Sequence, residues 1–160
     1  MNYVELHARS AFSFLRGSSS PEHLAFVAAE RELPALALCD RDGVFGAPRF
    51  YTAAREAGVR PLVGSELTME DGTVLPVLVR SRRGYQNLCR LLSRAKLRSP
   101  KNQSAVCWSE LPEFAEGLLA LTGDQEGGPL SRALRAGEFE LAQKRLIRLR
   151  EVFEIGRAHV

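Results

Sequence analysis

The sequence predicts an α/β fold built from a βα repeat, on three observations. Apolar runs of strand length recur along the chain, helical patterns separate most of them, and polar residues gather at the downstream ends of the early runs. The runs are Tyr3 to Leu6, Ala35 to Cys39, Arg60 to Val63, Val74 to Val79 and Leu118 to Thr122.

The first helix opens with Ser20 as its cap, Pro21 where a missing N–H costs nothing, and Glu22 to complement the helix dipole. Leu24, Val27 and Ala28 form its inward face, and Pro34 ends it. The second helix spans Pro48 to Ala57, with Phe50, Ala53, Ala54 and Ala57 on one side and Gly58 as C-terminal cap. The third spans Tyr85 to Leu97 and carries Leu88, Leu91, Leu92 and Ala95. Between the third and fourth strands, Glu70-Asp71-Gly72-Thr73 reads as a type I′ hairpin turn, because Asp-Gly takes positive φ readily; it interrupts the βα order. A helical pattern from Pro129 to Phe153 is split near Gly137, and no sixth strand follows it.

Composition narrows the function classes. The 160 residues, 45% hydrophobic, suit one globular domain and exclude a disordered chain. A net charge of +3 permits contact with nucleic acid or phosphorylated ligands without requiring it. Cys39, Cys89 and Cys107 are widely spaced with no C-x-x-C pair, which argues against a disulfide framework or a structural zinc cluster. The N-terminus lacks a cationic leader with an apolar run, and no segment approaches the roughly 20 apolar residues needed to cross a bilayer. A soluble, cytoplasmic protein with no membrane partner is expected. No P-loop or dinucleotide fingerprint is present.

The stretch LHARSAFSFLRG, Leu6 to Gly17, begins like a His-x-His metal motif at the end of a strand, but its second position is Arg9. Cys39-Asp40-Arg41-Asp42 ends the second strand and Val63-Gly64-Ser65-Glu66 the third. In a parallel barrel such strand ends share one rim, so a histidine, several carboxylates and arginines converge there.

Taken together, YVELHARSAFSFLRGSSSPEHL, ALALCDRDGVFGAPRF, RPLVGSEL and GYQNLCRLLSRAKL resemble the N-terminal polymerase-and-histidinol-phosphatase (PHP) domain of bacterial C-family DNA polymerases, in particular the error-prone relatives of the replicative polymerase III alpha subunit. The resemblance implies a distorted (βα)7 barrel, TIM-like, of which about the first five strands are present. It places a partial PHP domain at residues 1–153. Residues 154–160, EIGRAHV, back-translate into the opening of a common sequencing adapter and are read as a non-native tail, so His159 is set aside. Metal-binding members carry His-x-His and then an aspartate, positions that map to His7, Arg9 and Arg16. Their Asp-His motif maps to Asp40 and Arg41, and further positions map to Glu66 and Asp124. Arginine offers donors and a permanent charge but no usable lone pair, so these positions are read as a degenerate metal site with no metal. Arg9, Arg16 and Arg41 are expected to fill it and to pair with Asp40, Asp42 or Glu66.

The resemblance further implies that the complete protein is a DNA-directed DNA polymerase acting in translesion synthesis, repair and replication. Its Mg2+ would sit in a palm domain outside this chain, and no cofactor or catalytic residue is assigned here. Implied partners are DNA, the remaining polymerase modules of the same chain, and the sliding clamp with other mutagenesis proteins. The rival is a metal-dependent phosphoesterase or 3′-5′ exonuclease of the PHP family, using His7, Asp40, Glu66 and Asp124. A free-standing interaction module is a third alternative.

Simpler roles stand beside these. His7 alone suits a hydrogen-bonded structural histidine, and His23 a surface position. Ser10, Ser13 and Ser18 to Ser20 suit caps and turns, for want of a base beside them. The basic stretch holding Arg80, Arg82, Arg83, Arg90, Arg94 and Lys96, continued by Arg98 and Lys101, has no carboxylate between its members. It reads first as a solvated face, and second as a contact for DNA or a neighbouring module.

Overall fold

The computed structural model describes residues 3–100, 103–125 and 127–153. Residues 154–160, Lys101 and His159 lie outside that description. Among the described residues five strands form a mixed sheet in the order β1-β2-β3-β4-β5. The chain divides into two compact units, residues 1–66 and 67–160.

The first unit is the βα repeat expected. It contains β1 (Glu5–Ala8), α1 (Pro21–Glu30), β2 (Ala35–Arg41), α2 (Ala47–Glu56) and most of β3 (Arg60–Thr68). β1 and β2 pair in parallel, as do β2 and β3, the latter in unbroken register from Ala35 opposite Arg60 to Arg41 opposite Glu66. β1 starts two residues later than its apolar run suggested and is irregular between Glu5 and Ala8. β3 runs to Thr68, well past the apolar stretch, because the sheet buries Ser65 and Glu66 instead of releasing them into a loop.

Ser20 caps α1 by accepting the His23 amide, with Pro21 in the first turn. The inward face of α1 is centred on Ala25 and Ala28 rather than on Leu24 and Val27, and the helix stops at Glu30, before Pro34 can act. Glu32 turns the chain there with φ 53°. On α2 the buried residues are Ala47, Phe50 and Ala54, and Ala57 is exposed. Gly58 ends the helix at φ 76°, the left-handed conformation that suits a residue without Cβ. Phe50, with 0% exposure, packs among Ala25, Ala28, Leu36, Leu38, Ala54 and Val59. The small residues on both helices let them approach each other, and the one large ring fills the space left.

The second unit continues with β4 (Val74–Val79), α3 (Arg82–Arg98), α4 (Leu111–Phe114), β5 (Leu118–Ala120), α5 (Pro129–Arg135) and α6 (Phe139–Val152). The turn before β4 is not type I′: Gly72 has φ 75° but Asp71 has no positive φ. Gly72 N donates to Met69 O at 2.9 Å, and Asp71 Oδ1 accepts from Thr73 N and Oγ1. The aspartate thus stabilises the turn by its side chain, leaving the left-handed residue to glycine alone. β5 runs antiparallel to β4, so the βα order is not resumed. α3 starts at Arg82, three residues before its apolar stripe, because Ser81 caps it by accepting the Gly84 amide. Leu88, Leu91, Leu92 and Ala95 are buried as their spacing predicts. Four-residue α4 had no periodic signal. Trp108 joins it to other elements: its indole N–H donates to Asp71 Oδ2, which also accepts from Arg145 of α6. No described helix is long and apolar enough to cross a membrane.

The Phe50 contacts generate a test. Phe50→Ala leaves a cavity that α1 and α2 cannot close and is expected to cost about 3–5 kcal/mol, read as a lowered denaturation midpoint.

Candidate functional site

Glu66 is the centre of the site. Its side chain has 0% exposure. His7 Nε2 lies 2.6 Å from Oε1, Arg9 Nε donates to the same oxygen at 2.5 Å, and Arg41 Nε donates to Oε2 at 2.7 Å. Burial pushes the Glu66 carboxyl upward, but the hydrogen bonds from His7, Arg41 and Arg9 and the Arg41 charge outweigh it and bring the group down to about 2. Glu66 is therefore ionised at neutral pH and only accepts, so the shared proton resides on Nε2 of His7.

The backbone explains why these side chains meet. Arg41 and Glu66 are register partners on adjacent parallel strands, so they leave the sheet on the same face. Asp42 N then donates to Glu66 O at 2.8 Å, holding the strand ends together where Asp42 turns at φ 50°. His7 lies within β1 and Arg9 one residue beyond it. The His7 backbone amide donates to Glu5 Oε1, which fixes the approach of that strand end.

Asp40 occupies a different environment. Successive strand residues face opposite ways, so Asp40 leaves β2 on the face away from Arg41. Its Oδ1 accepts from Ser10 N at 2.8 Å and Ser13 Oγ at 2.7 Å, and Oδ2 from Ser10 Oγ at 2.8 Å. Ser13 Oγ also accepts the Arg41 amide at 3.1 Å, and Ser65 Oγ donates to Asp40 O at 2.9 Å. Gly46 closes the cage: a Cβ there would stand 2.9 Å from Asp40 Oδ2.

Of the carboxylates expected as partners, Glu66 receives Arg9 and Arg41, while Ser10 and Ser13 take Asp40. One expectation needs correction. Arg16 does not enter the site. It is exposed, and no hydrogen bond or ion pair of its guanidinium is found among the described residues. The reason lies in the loop: Ser13 is drawn inward to Asp40, and the turn closed by Arg16 N on Ser13 O carries residues 14–16 outward. Ser10 and Ser13 do more than the caps or turns expected of them, because both hydroxyls hold Asp40. Their three-residue spacing downstream of His7 was the available signal, since it puts two hydroxyls on the inner side of one tight loop. His23 is exposed, as expected.

Asp124 belongs to the second unit, where its Oδ1 accepts the Gly127 amide at 2.7 Å. The basic stretch lies there too. Arg94 makes a two-bond pair with Glu113, Arg98 makes one with Glu110, and Arg83 Nε is 3.4 Å from Glu116. Arg80, Arg82, Arg90 and Lys96 are exposed on or next to the same helix. Among the described residues, no group of three or more His, Cys, Asp and Glu side chains is arranged to hold a metal ion.

Comparison with known proteins adds sequence and fold likeness. A family model described as PHP domain matches residues 5–159. The chain is 39% identical over 163 aligned residues to an error-prone DNA polymerase from Symbiobacterium thermophilum, covering 91% of this chain and 15% of that protein. It is 32% identical over 163 aligned residues to the DNA polymerase III subunit alpha of Caulobacter vibrioides, covering 94% of this chain and 14% of that one. Among solved structures, an amidohydrolase from Chromobacterium violaceum superposes with TM-score 0.50 at 21% identity, over 86% of this chain and 39% of the other. That likeness is one of fold and agrees with a partial TIM-like α/β architecture. The chain spans 15% or less of these polymerases' length.

The Glu66 cluster predicts an acid dependence with a definite sign. A carboxyl held at about 2 against an ordinary 4.5 stabilises the fold by about 3 kcal/mol at neutral pH. That contribution is complete above pH 4.5 and is lost as pH falls toward 2. Glu66→Gln leaves Arg9 and Arg41 facing a neutral amide and is expected to cost about 3–5 kcal/mol at pH 7. Unfolding measured at pH 7 and pH 3 should show the gap between parent and variant narrowing at the lower pH.

Proposed function

The chain belongs to the PHP domain family, and from that premise we propose that it is the N-terminal PHP domain of an error-prone DNA polymerase, acting as a structural rather than a catalytic module. The observation that carries this reading is the double arginine capture of Glu66. Sequence similarity to error-prone polymerases over most of the chain supports the polymerase context.

The metal cluster that the family implies is poorly matched by the residues present. His7, Asp40 and Glu66 keep donor atoms, but both oxygens of Glu66 are held by cations or by His7, and both oxygens of Asp40 by serine donors. Ion binding would have to break these bonds and approach fixed positive charge. A divalent ion about 4 Å from one guanidinium is repelled by roughly 8 kcal/mol at an effective dielectric of about 20, before any relaxation. Arg9 and Arg41 instead supply, as covalently attached groups, the positive charge that Glu66 requires. His7 adds a hydrogen bond and closes the third strand end onto the same carboxylate. No hydrolytic step is derived for this site.

In the complete protein, nucleotide addition would use Mg2+ in a palm module beyond these residues, with DNA and the other modules of the chain as partners. A DNA contact by the basic face of α3 is a secondary reading. It is weakened by the carboxylates that meet Arg83, Arg94 and Arg98.

Two measurements test the proposal. The purified complete protein should extend a primed template with Mg2+. Elemental analysis should find no stoichiometric zinc, manganese or iron cluster held by residues of this domain. A retained cluster that disappears in His7→Ala, together with phosphoesterase activity, would establish the hydrolase alternative instead.

A further inference from the structure

The loop joining β1 to α1 combines a stiff backbone with outward apolar side chains. Its inner side is fixed by Ser10 and Ser13 on Asp40. Ala11 N donates to Ser19 O at 2.8 Å, and Arg16 N and Gly17 N both donate to Ser13 O. Gly17 packs so tightly that a Cβ there would lie 2.3 Å from Ser10 O. Leu15, at φ 60°, occupies the left-handed region that side-chain-bearing residues avoid. The same loop exposes Phe14 by 83% and Leu15 by 89%, with Phe12 partly exposed beside them.

A fold gains nothing by holding two large apolar side chains rigidly in water. Such a knob has, however, already met the ordering cost of docking, and apolar anchors of this kind carry interface energy when a pocket desolvates them. Arg16, next in sequence, is exposed with its guanidinium making no hydrogen bond or ion pair among the described residues. A complementary surface would therefore be an apolar cleft with a carboxylate at its edge. Single-stranded nucleic acid matches less well: residues 1–66 hold seven arginines and eight carboxylates, so the phosphate-binding term is missing, and Leu15 offers no ring for stacking.

We infer that the loop Phe12–Arg16 is a docking knob for another module of the same polymerase chain, which receives Phe14 and Leu15 in an apolar cleft and Arg16 on a carboxylate at its rim. This rests on the polymerase assignment proposed above. The occupant follows from length: the chain spans 15% or less of the polymerases it resembles, so in such a protein most of the available surface is tethered to this loop. Tethering raises the effective concentration of a cleft in the same chain to about the millimolar range, far above that of a separate partner.

The test uses the complete polymerase with Phe14 replaced by the photoreactive analogue p-benzoylphenylalanine, a change at a side chain exposed enough to spare the fold. Illumination should give a crosslink within one chain, mapped by mass spectrometry to a segment beyond the remaining strands of this barrel; a crosslink to those strands overturns the inference. The yield of the expected crosslink should fall severalfold when Arg16→Glu is added. No crosslink, or one to a second copy, to DNA or to a different protein, overturns the inference, and an unchanged yield in Arg16→Glu overturns the acidic rim. Primer extension by the parent protein, run alongside, separates the two failures. A protein that extends primers without the intrachain crosslink refutes the docking alone, and one that extends no primer refutes the polymerase assignment itself.

Discussion

A single carboxylate with no exposure to solvent sets the terms for the first unit. Glu66 is ionised inside the fold, and an uncompensated buried charge of that kind costs several kcal/mol. Three donors, from β1, from the residue after it and from β2, remove the cost by converging on its two oxygens. The ends of three strands thus owe part of their relative placement to one anion. Because guanidinium does not deprotonate in proteins, the arginine part of this compensation is present wherever Glu66 is ionised. It also cannot dissociate, which distinguishes it from a bound ion whose occupancy varies with concentration.

The alternation of the strand separates a second cluster from the first. Asp40 and Arg41 are adjacent in sequence, yet one is held by Ser10 and Ser13 and the other meets Glu66. Two clusters are nevertheless linked through Ser13, whose hydroxyl donates to Asp40 and accepts the Arg41 amide. Asp40 in this arrangement is an anchor for the loop after β1. The Asp40 carboxylate is thus engaged in holding backbone, and Gly46 leaves room for nothing larger against it.

The legible parts of the fold were those whose causes are local. Ser20-Pro21 announces a helix start, Gly58 a helix end, and the spacing of Leu88, Leu91, Leu92 and Ala95 one buried face, and each is found where its chemistry requires. The misread parts depend on partners distant in sequence. β3 extends through Ser65 and Glu66 because β2 pairs with them, which no apolar pattern in β3 reveals. Asp71 looked like half of a type I′ turn, but Thr73 and Trp108 use its carboxylate instead. The chemistry of arginine predicts that Arg9 and Arg41 meet a carboxylate, and both bond Glu66. Arg16 was assigned by the same reasoning, and the turn at Ser13 carries it away.

The basic stretch on α3 follows the same logic from the opposite direction. Read along the chain, it is a run of cations with no acid among them, the pattern of a nucleic-acid face. The acids that meet it come later, on and around α4: Glu113 pairs with Arg94, Glu110 with Arg98 and Glu116 with Arg83. Exposed pairs like these add little stability, since water screens them and long side chains lose freedom in making them. Their effect on the field is larger, because each cancels a charge that would otherwise attract phosphate. Arg94 also lies 4.5 Å from the centroid of the Phe114 ring, so its side chain is committed twice to the short helix beside it. Charge runs therefore mark a surface, whereas the elements packed beside them decide whether that surface still has a net charge to offer. On α3 the packing of α4 offsets the charge of Arg83, Arg94 and Arg98 and so lowers what that face can offer to phosphate.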